Sequence, residues 1–192
     1  MVSFHCTQAR LKKWLLASGL FASILLINAC STLDIGKAPA FAPKAAWVLL
    51  PVMNHTETPQ AGLRAENIID SVMRTDGNVS LQHYPADLNT ESLFEPAERK
   101  TVENALQWAK SIHAAYAVTG SVDEWRYKVG VDGEPAVGMT LRVWDVQSGQ
   151  VVWSGTGGKT GWSREALSAV AQKLIRSLLA PVAQSAQAST RQ

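Results

Sequence analysis

One of the two cysteines, Cys30, lies in a local pattern that indicates a chemical modification. Cys30 follows Leu26-Ile27-Asn28-Ala29, with an apolar residue three positions before it and a small one directly before it. A basic segment and an apolar run over 14–27 precede it, the layout of an export signal. The run is several residues too short for a comfortable transmembrane helix. The pattern predicts a bacterial lipobox, with 1–29 cleaved as a signal peptide and Cys30 lipidated. The alternative is an ordinary signal peptide that contains a cysteine by chance.

Cleavage there changes what the composition means. The 192 residues hold 18 Lys+Arg, 16 Asp+Glu and two cysteines, a formal charge of +2. The segment 1–29 takes three of those cations, no acid, and Cys6. The mature chain is therefore near neutral without a free thiol, so we expect no disulfide, no thiol chemistry and no nucleic-acid partner. Ser31 follows the lipidated residue, and by resemblance to sorted lipoproteins this favours the outer membrane, with the domain on its periplasmic face.

A glycine-rich stretch over 154–160 ends in Gly158-Lys159-Thr160 and has the composition of a phosphate-binding loop. The nucleotide-binding pattern requires a glycine five residues before Gly158, and that position is Trp153. We therefore interpret the stretch as a mobile or closely approached loop between a strand and a helix. The three histidines outside the signal peptide share no metal-ligand spacing, and no catalytic serine motif or paired carboxylates occur. The sequence predicts a protein that is not an enzyme and has no cofactor or metal.

Trp162 follows the glycines and is flanked by two cations, Lys159 and Arg164. An indole beside cations suits a membrane interface, because the ring lies at headgroup depth while the cations meet phosphates. The alternative is a tryptophan folded back against the core at a helix start. The predicted lipid anchor favours membrane contact by all three residues.

Charged residues concentrate in the predicted hairpin region. The acids are Asp123, Asp132, Glu134 and Asp145, interleaved with Arg126 among other cations. One interpretation is a solvated sheet face, and the other is a subunit seam or a polymer-facing pore lining in an oligomer. Trp125 and Trp144 lie on the hairpin strands and Trp108 lies off the apolar stripe of its helix. Exposed aromatic residues of this kind are typical of a protein interface, and the three together favour one. The alternative for each is an amphipathic tryptophan that partly covers the sheet.

Hydrophobic periodicity predicts a mixed sheet with packed helices, an α/β (α+β) fold in the order β-α-β-α-β-β-β-α. The apolar run over 46–52 predicts a buried strand. Residues 30–44 predict the lipidated cysteine and a flexible tether, 45–181 a single domain, and 182–192 a disordered tail.

The opening Val48-Leu49-Leu50-Pro51-Val52-Met53-Asn54 resembles TolB N-terminal-like domains, a fold group that includes CsgG and LpoB. The hairpin segments 124–130 and 132–138, with the stretch 153–167, resemble the PelC family of Pel exopolysaccharide export. That resemblance implies a lipoprotein ring, thought to be a dodecamer, that assists export of a cationic polysaccharide through an outer-membrane porin, with Trp162 seating the ring in the membrane. The alternatives are an LpoB-like activator of a cell-wall synthase and a CsgG-like secretion channel subunit.

Overall fold

The apolar run predicted as a buried strand lies inside a six-stranded sheet. A computed structural model describes residues 31–88, 97–130 and 133–190, so the predicted signal peptide 1–29 and Cys30 lie outside the described residues. The strands are β1 (Ser31–Ile35), β2 (Trp47–Asn54), β3 (Leu81–His83), β4 (Tyr116–Tyr127), β5 (Pro135–Asp145) and β6 (Gln150–Thr160). The helices are α1 (Ala61–Asp76), α2 (Ala97–Ser111) and α3 (Leu167–Thr190), with a 3-10 turn at Ala86–Leu88.

The strands follow the order β1-β6-β5-β4-β2-β3 across the sheet. β2 runs parallel to both of its neighbours, and every other pairing is antiparallel. The mixed sheet is confirmed, and from β2 onward the chain follows the predicted order β-α-β-α-β-β-β-α. The structure adds one strand, β1, before that order begins.

The two faces of the sheet carry cores of different size. Helices α1 and α3 cover one face, where Leu49, Ile69, Leu141 and Leu174 belong to a large apolar core. Helix α2 packs on β2 over the other face, and the core beneath it is small and rich in alanine. Short side chains let the α2 backbone approach the sheet closely, so this layer buries less apolar surface and contributes less to stability.

The central strand β2 contains Pro51, which removes a backbone donor from the sheet. Its pairing with β4 shifts register between Leu49 and Val52. Two side chains satisfy the backbone there: the buried Thr119 hydroxyl donates to the Pro51 carbonyl at 2.7 Å, and the Glu66 carboxylate accepts from the Val52 N–H at 2.8 Å. Burial raises the pKa of Glu66, although the Val52 hydrogen bond opposes that shift.

The prediction of a free tether over 30–44 is wrong for the residues that the structure describes. Ser31–Ile35 forms β1, which pairs antiparallel with β6 at the edge of the sheet. The next residues are held as well, because the Trp153 indole donates to the Gly36 carbonyl at 2.8 Å. A five-residue strand is too short to show a reliable period, so long-range pairing decided its structure.

The rest of the predicted tether ends in an aromatic cluster. Phe41 is only 4% exposed and meets the rings of Trp47 and Tyr116 edge-on, at centroid distances of 4.7 and 4.9 Å. The backbone N–H of Ala42 donates to the Tyr116 hydroxyl at 3.1 Å. This segment therefore belongs to the folded domain, and the predicted domain start at residue 45 is corrected to residue 31.

The predicted disordered tail over 182–192 is also wrong up to residue 190. Helix α3 continues through Pro181 to Thr190, and Val182, Ala183 and Ala186 are buried. The apolar stripe of α3 continues at helical spacing past the proline, so packing outweighs the lost backbone hydrogen bond. Residues 191–192 lie outside the described residues.

The glycine-rich stretch is a strand and not the predicted loop, and of the two predicted uses of its glycines the structure has close approach. β6 runs without a break to Thr160, with Gly155 and Gly157 buried beneath α3. A Cβ on Gly157 would lie 2.7 Å from the Leu33 side chain of β1 and 3.2 Å from Leu174 of α3. The glycines therefore allow β1 and α3 to approach β6 closely, which is the structural use of a glycine inside a strand.

Candidate functional site

Three separate segments meet at one end of the sheet. Ser31 pairs with Lys159 near the end of β6, and Tyr127 pairs with Pro135 where the β4–β5 hairpin opens into its turn. The backbone N–H of Gly161 donates to the Pro135 carbonyl at 2.8 Å, so the residue before Trp162 lies at the same level. We call this region the Trp162 end of the sheet. We call the opposite end, where Asp145 pairs with Gln150 and Tyr116, the Asp145 end.

Trp162 projects from the short turn between β6 and α3 and is 57% exposed. The alternative in which it folds back against the core is therefore wrong. Its turn is held by Glu165, whose carboxylate accepts from the Trp162 backbone N–H at 3.1 Å while the Glu165 N–H donates to the Trp162 carbonyl at 3.0 Å. The backbone of the turn is fixed by this reciprocal pair, so the exposed indole is presented by an ordered turn.

A lysine fixes the Glu165 carboxylate in turn. The Lys173 ammonium of α3 lies 2.6 Å from the second Glu165 oxygen. The Lys173 hydrogen bond lowers the pKa of Glu165, and the hydrogen bond from the Trp162 backbone lowers it further. Glu165 therefore stays ionised at neutral pH and keeps both partners.

Tyr127 links the hairpin to the Trp162 turn. Its hydroxyl donates to the Glu165 carbonyl at 3.2 Å and accepts from the Leu167 backbone N–H at 3.1 Å, at the first residue of α3. One phenol thus holds the start of α3 against the end of β4. Sequence reasoning missed this residue, because the partners lie about 40 positions apart and no local pattern connects them.

The two cations predicted to contact a membrane lie at the same end as Trp162. Lys159 is half-buried near the end of β6, and Arg164 is exposed in the turn itself with a left-handed φ of 67°. Arg126, predicted beside the acids, is near the end of β4, and its Nε lies 3.0 Å from the Glu124 carboxylate. The structure therefore brings Trp162 and its flanking cations to one end of the sheet.

The predicted acids do not gather into one cluster within the chain. Asp123 occupies a register shift in the middle of β4, where its carboxylate lies 3.0 Å from His55 Nδ1. Glu134 is exposed at the Trp162 end, and Asp145 lies at the opposite end. Asp132 lies outside the described residues. What these acids face in an assembly stays a prediction.

Asp145 has a local structural task. Its carboxylate accepts from the Ser148 backbone N–H at 2.8 Å and from the Ser148 hydroxyl at 2.9 Å, which closes the β5–β6 turn. The Ser148 hydrogen bonds hold its pKa below the usual range. This is the behaviour of an aspartate that caps a turn.

The prediction of partly exposed tryptophans on the hairpin and α2 is wrong for Trp125, which is buried in the large core. Trp108 and Trp144 are partly buried against the small core under α2, and Trp108 meets Tyr84 edge-on at 5.3 Å. Trp144 also lines a cavity of about 590 Å³ between α2 and the sheet. These indoles cover core surface, which leaves Trp162 as the tryptophan that the described part of the chain exposes.

Within the described ranges, no group of three or more histidine, cysteine or acidic side chains is placed to hold a metal ion. None of the described helices combines the length and the apolar character that crossing a bilayer requires.

The chain is similar to solved structures of PelC and, at lower identity, of other proteins. PelC from Paraburkholderia phytofirmans, solved as a dodecamer, is 41% identical, with a TM-score of 0.68 over 80% of this chain and 97% of PelC. A leucine-to-methionine variant of that protein, also a dodecamer in another crystal form, gives 41% identity and a TM-score of 0.67 over 79% and 97%. The hypothetical protein CT253 from Chlamydia trachomatis shares the fold at 17% identity and a TM-score of 0.50, over 76% of this chain and 99% of CT253. No protein-family model and no curated protein matches the chain.

Proposed function

The chain belongs to the PelC family, and from this premise we propose that it is an outer-membrane lipoprotein that assists export of a cationic exopolysaccharide. In this proposal Cys30 carries the lipid, the domain faces the periplasm, and copies of the chain assemble into a dodecameric ring next to an outer-membrane porin. The role is binding and guidance, without catalysis. The single observation that carries the proposal is that the residue after Cys30 and the exposed Trp162 lie at the same end of the sheet.

The position of β1 supports direct attachment to the membrane. Cys30 is bonded to Ser31, which already pairs with Lys159 in the sheet. Consecutive Cα atoms are about 3.8 Å apart, so a lipid on Cys30 holds the Trp162 end close to the bilayer. Several acyl chains give stable anchoring. An LpoB-like activator that reaches across the periplasm needs a long tether. In this chain, part of the segment predicted as a tether forms β1 instead.

The surroundings of Trp162 support contact with the same bilayer. The indole is exposed, and Lys159 and Arg164 lie beside it. Indole rings favour the headgroup region, and lysine or arginine side chains extend from there to lipid phosphates. An exposed aromatic ring is costly in water, so its burial in a headgroup layer would add to the lipid anchor.

The ring is supported by the relatives that were solved as dodecamers. A closed ring needs a heterologous interface, in which two different patches of each copy meet. Asp123, Glu134 and Asp145 lie at three levels along the sheet. Repetition around a ring would turn each level into a belt of negative charge, which attracts a cationic polymer. A CsgG-like channel would need its hairpin strands free to enter the membrane, whereas β4 and β5 are both interior strands of this sheet.

Two measurements test the proposal. Native mass spectrometry of the unit formed by residues 31–192 should give a large closed oligomer; a strict monomer at high concentration would count against the ring. In cells that lack the gene, chains with Cys30→Ala or Trp162→Asp should restore little polysaccharide export. Leu63→Asp is the matched control, because Leu63 is equally exposed but lies on α1. If all of these variants restored export equally, the proposed membrane contacts of Cys30 and Trp162 would be wrong.

A further inference from the structure

We propose that the β4–β5 hairpin inserts a second apolar side chain, Val129, into the membrane beside Trp162, and that Tyr127 clamps the two loops into one wedge. The proposal rests on the membrane contact proposed above and adds a second point of insertion. Its ligand is a phospholipid surface.

The exposure of Val129 is the first observation. Its side chain is fully exposed, more so than Trp162. The neighbouring Gly130 faces open space in the direction of a side chain, since a Cβ built there would meet nothing within 4 Å. An apolar side chain at a projecting position gains nothing in water and is stabilised wherever that position meets an apolar phase.

The second observation is where this part of the hairpin lies. The strands reach it at the Tyr127–Pro135 pair, and Pro135 is hydrogen-bonded to Gly161, the residue before Trp162. Ser31 is at the same end of the sheet. The residue after the predicted lipid attachment, the exposed indole and the most exposed valine of the described residues therefore lie at one end of the sheet, and this points to a bilayer as the surface that they contact.

The third observation is the clamp. The Tyr127 hydroxyl donates to the Glu165 carbonyl and accepts from the Leu167 N–H. The end of β4 that precedes Val129 is therefore held against the turn that carries Trp162. Tyr127 is itself about half-exposed. A phenol with an apolar ring and a bonded hydroxyl suits the headgroup layer, directly behind a side chain that reaches the acyl region.

Charge around the wedge fits an anionic lipid surface. The cations at this end are Lys128, Lys159 and Arg164, and the exposed acid among its described residues next to the turn is Glu134. Asp132 belongs to the same turn in the sequence and lies outside the described residues. The Glu165 carboxylate is paired with Lys173. Lysine next to an exposed valine is the arrangement in which the aliphatic stem follows the apolar residue and the ammonium returns to the phosphates.

A fluorescence experiment on the unit formed by residues 31–192 tests the insertion directly. This unit contains no cysteine, so Val129→Cys accepts a single environment-sensitive dye. Val151→Cys is the matched control, since Val151 is an exposed strand valine at the Asp145 end. With vesicles of phosphatidylethanolamine and phosphatidylglycerol, a dye at 129 should shift to the blue and be quenched by nitroxide lipids, and a dye at 151 should do neither. A dye at 129 that stays in water while Trp162 is quenched would overturn the proposal.

Neutral substitutions measure the contribution to binding. Val129→Ser should weaken vesicle binding about fivefold by removing apolar surface, and Val151→Ser should leave it unchanged. Both sites are exposed, so equal melting temperatures verify folding. If Trp162→Asp abolishes binding while Val129→Ser does not weaken it, the second insertion point is wrong and the proposed function stands. If neither changes binding, both fail.

Discussion

Each end of the sheet has a turn that is closed by a carboxylate, but the two turns serve different purposes. At each end a carboxylate with a lowered pKa accepts backbone hydrogen bonds and closes a turn, Asp145 at one end and Glu165 at the other. At the Asp145 end, the buried Phe41 ring packs against the buried Trp47 and the partly buried Tyr116. At the Trp162 end the indole is held out in solvent. An ordered turn can therefore either stabilise the fold or hold an apolar side chain exposed to solvent.

The segment from Ser31 to Phe41 connects the two ends. It starts beside Lys159 at the Trp162 end and finishes in the aromatic cluster at the Asp145 end. A pull on a lipid at Cys30 would therefore be transmitted first to the hydrogen bonds between β1 and β6. Stability at one end and attachment at the other are thus linked by one continuous strand and loop.

The largest difference between the ends should appear when an aromatic ring is removed from each. Phe41→Ala should lower the free energy of unfolding by about 3–4 kcal/mol, because the ring is buried and leaves a cavity. Trp162→Ala should change it by less than about 0.5 kcal/mol, because its ring is exposed. Urea denaturation of residues 31–192 measures both values. If the two variants lost equal free energy of unfolding, the aromatic rings at the two ends would contribute equally to stability and the contrast would be wrong.

Much of the fold could be predicted from the sequence, where apolar residues recur over long segments. In α1, for example, Ala65, Ile69 and Val72 recur at helical spacing and are buried. β1 could not be predicted in the same way, because five residues with one neighbouring strand depend on a partner more than 100 positions away. The extension of α3 into the predicted tail was not expected because a proline usually ends a helix, whereas here the apolar stripe continues past Pro181 and stays buried.

The candidate site was predictable only in part. Trp162, Lys159 and Arg164 were identified from a local pattern, but the sequence left exposure and core packing of the indole equally open. The exposure of the indole depends on Glu165 and Tyr127, because they hold the turn. Glu165 does so through a local hydrogen bond and Tyr127 through hydrogen bonds to residues distant in the sequence. Val129 gave no signal, because a single valine in a turn is distinguished only by the surface on which it lies.

A smaller effect is expected from the turn at the Asp145 end. Asp145→Ala should cost about 1 kcal/mol, because it leaves the Ser148 N–H and hydroxyl without their acceptor. The folded pKa of Asp145 is lowered, so its contribution is present above the ordinary aspartate pKa and is lost as pH falls through the folded value. Asp145→Asn keeps an acceptor but cannot titrate. Between neutral pH and about pH 3, the free energy of unfolding of the wild type should fall towards that of Asp145→Asn. If the difference between the two free energies stayed constant with pH, the proposed role of the ionised Asp145 carboxylate would be wrong.

The smallest effect on stability is expected at the Trp162 end, from Glu165→Gln. The amide oxygen can still accept from the Trp162 N–H, and the lost ion pair involves an exposed lysine, so unfolding should change by less than about 0.5 kcal/mol. The mobility of the turn should rise, because Lys173 no longer fixes the side chain. Fluorescence anisotropy of Trp162, isolated as the difference between each protein and its Trp162→Phe counterpart, measures this. Lys173→Gln is the matched control, since it removes the same ion pair from the other side and should loosen the turn equally. A stability loss as large as that of Asp145→Ala would mean that both carboxylates serve stability, and the contrast between the two ends would then rest on the aromatic rings alone.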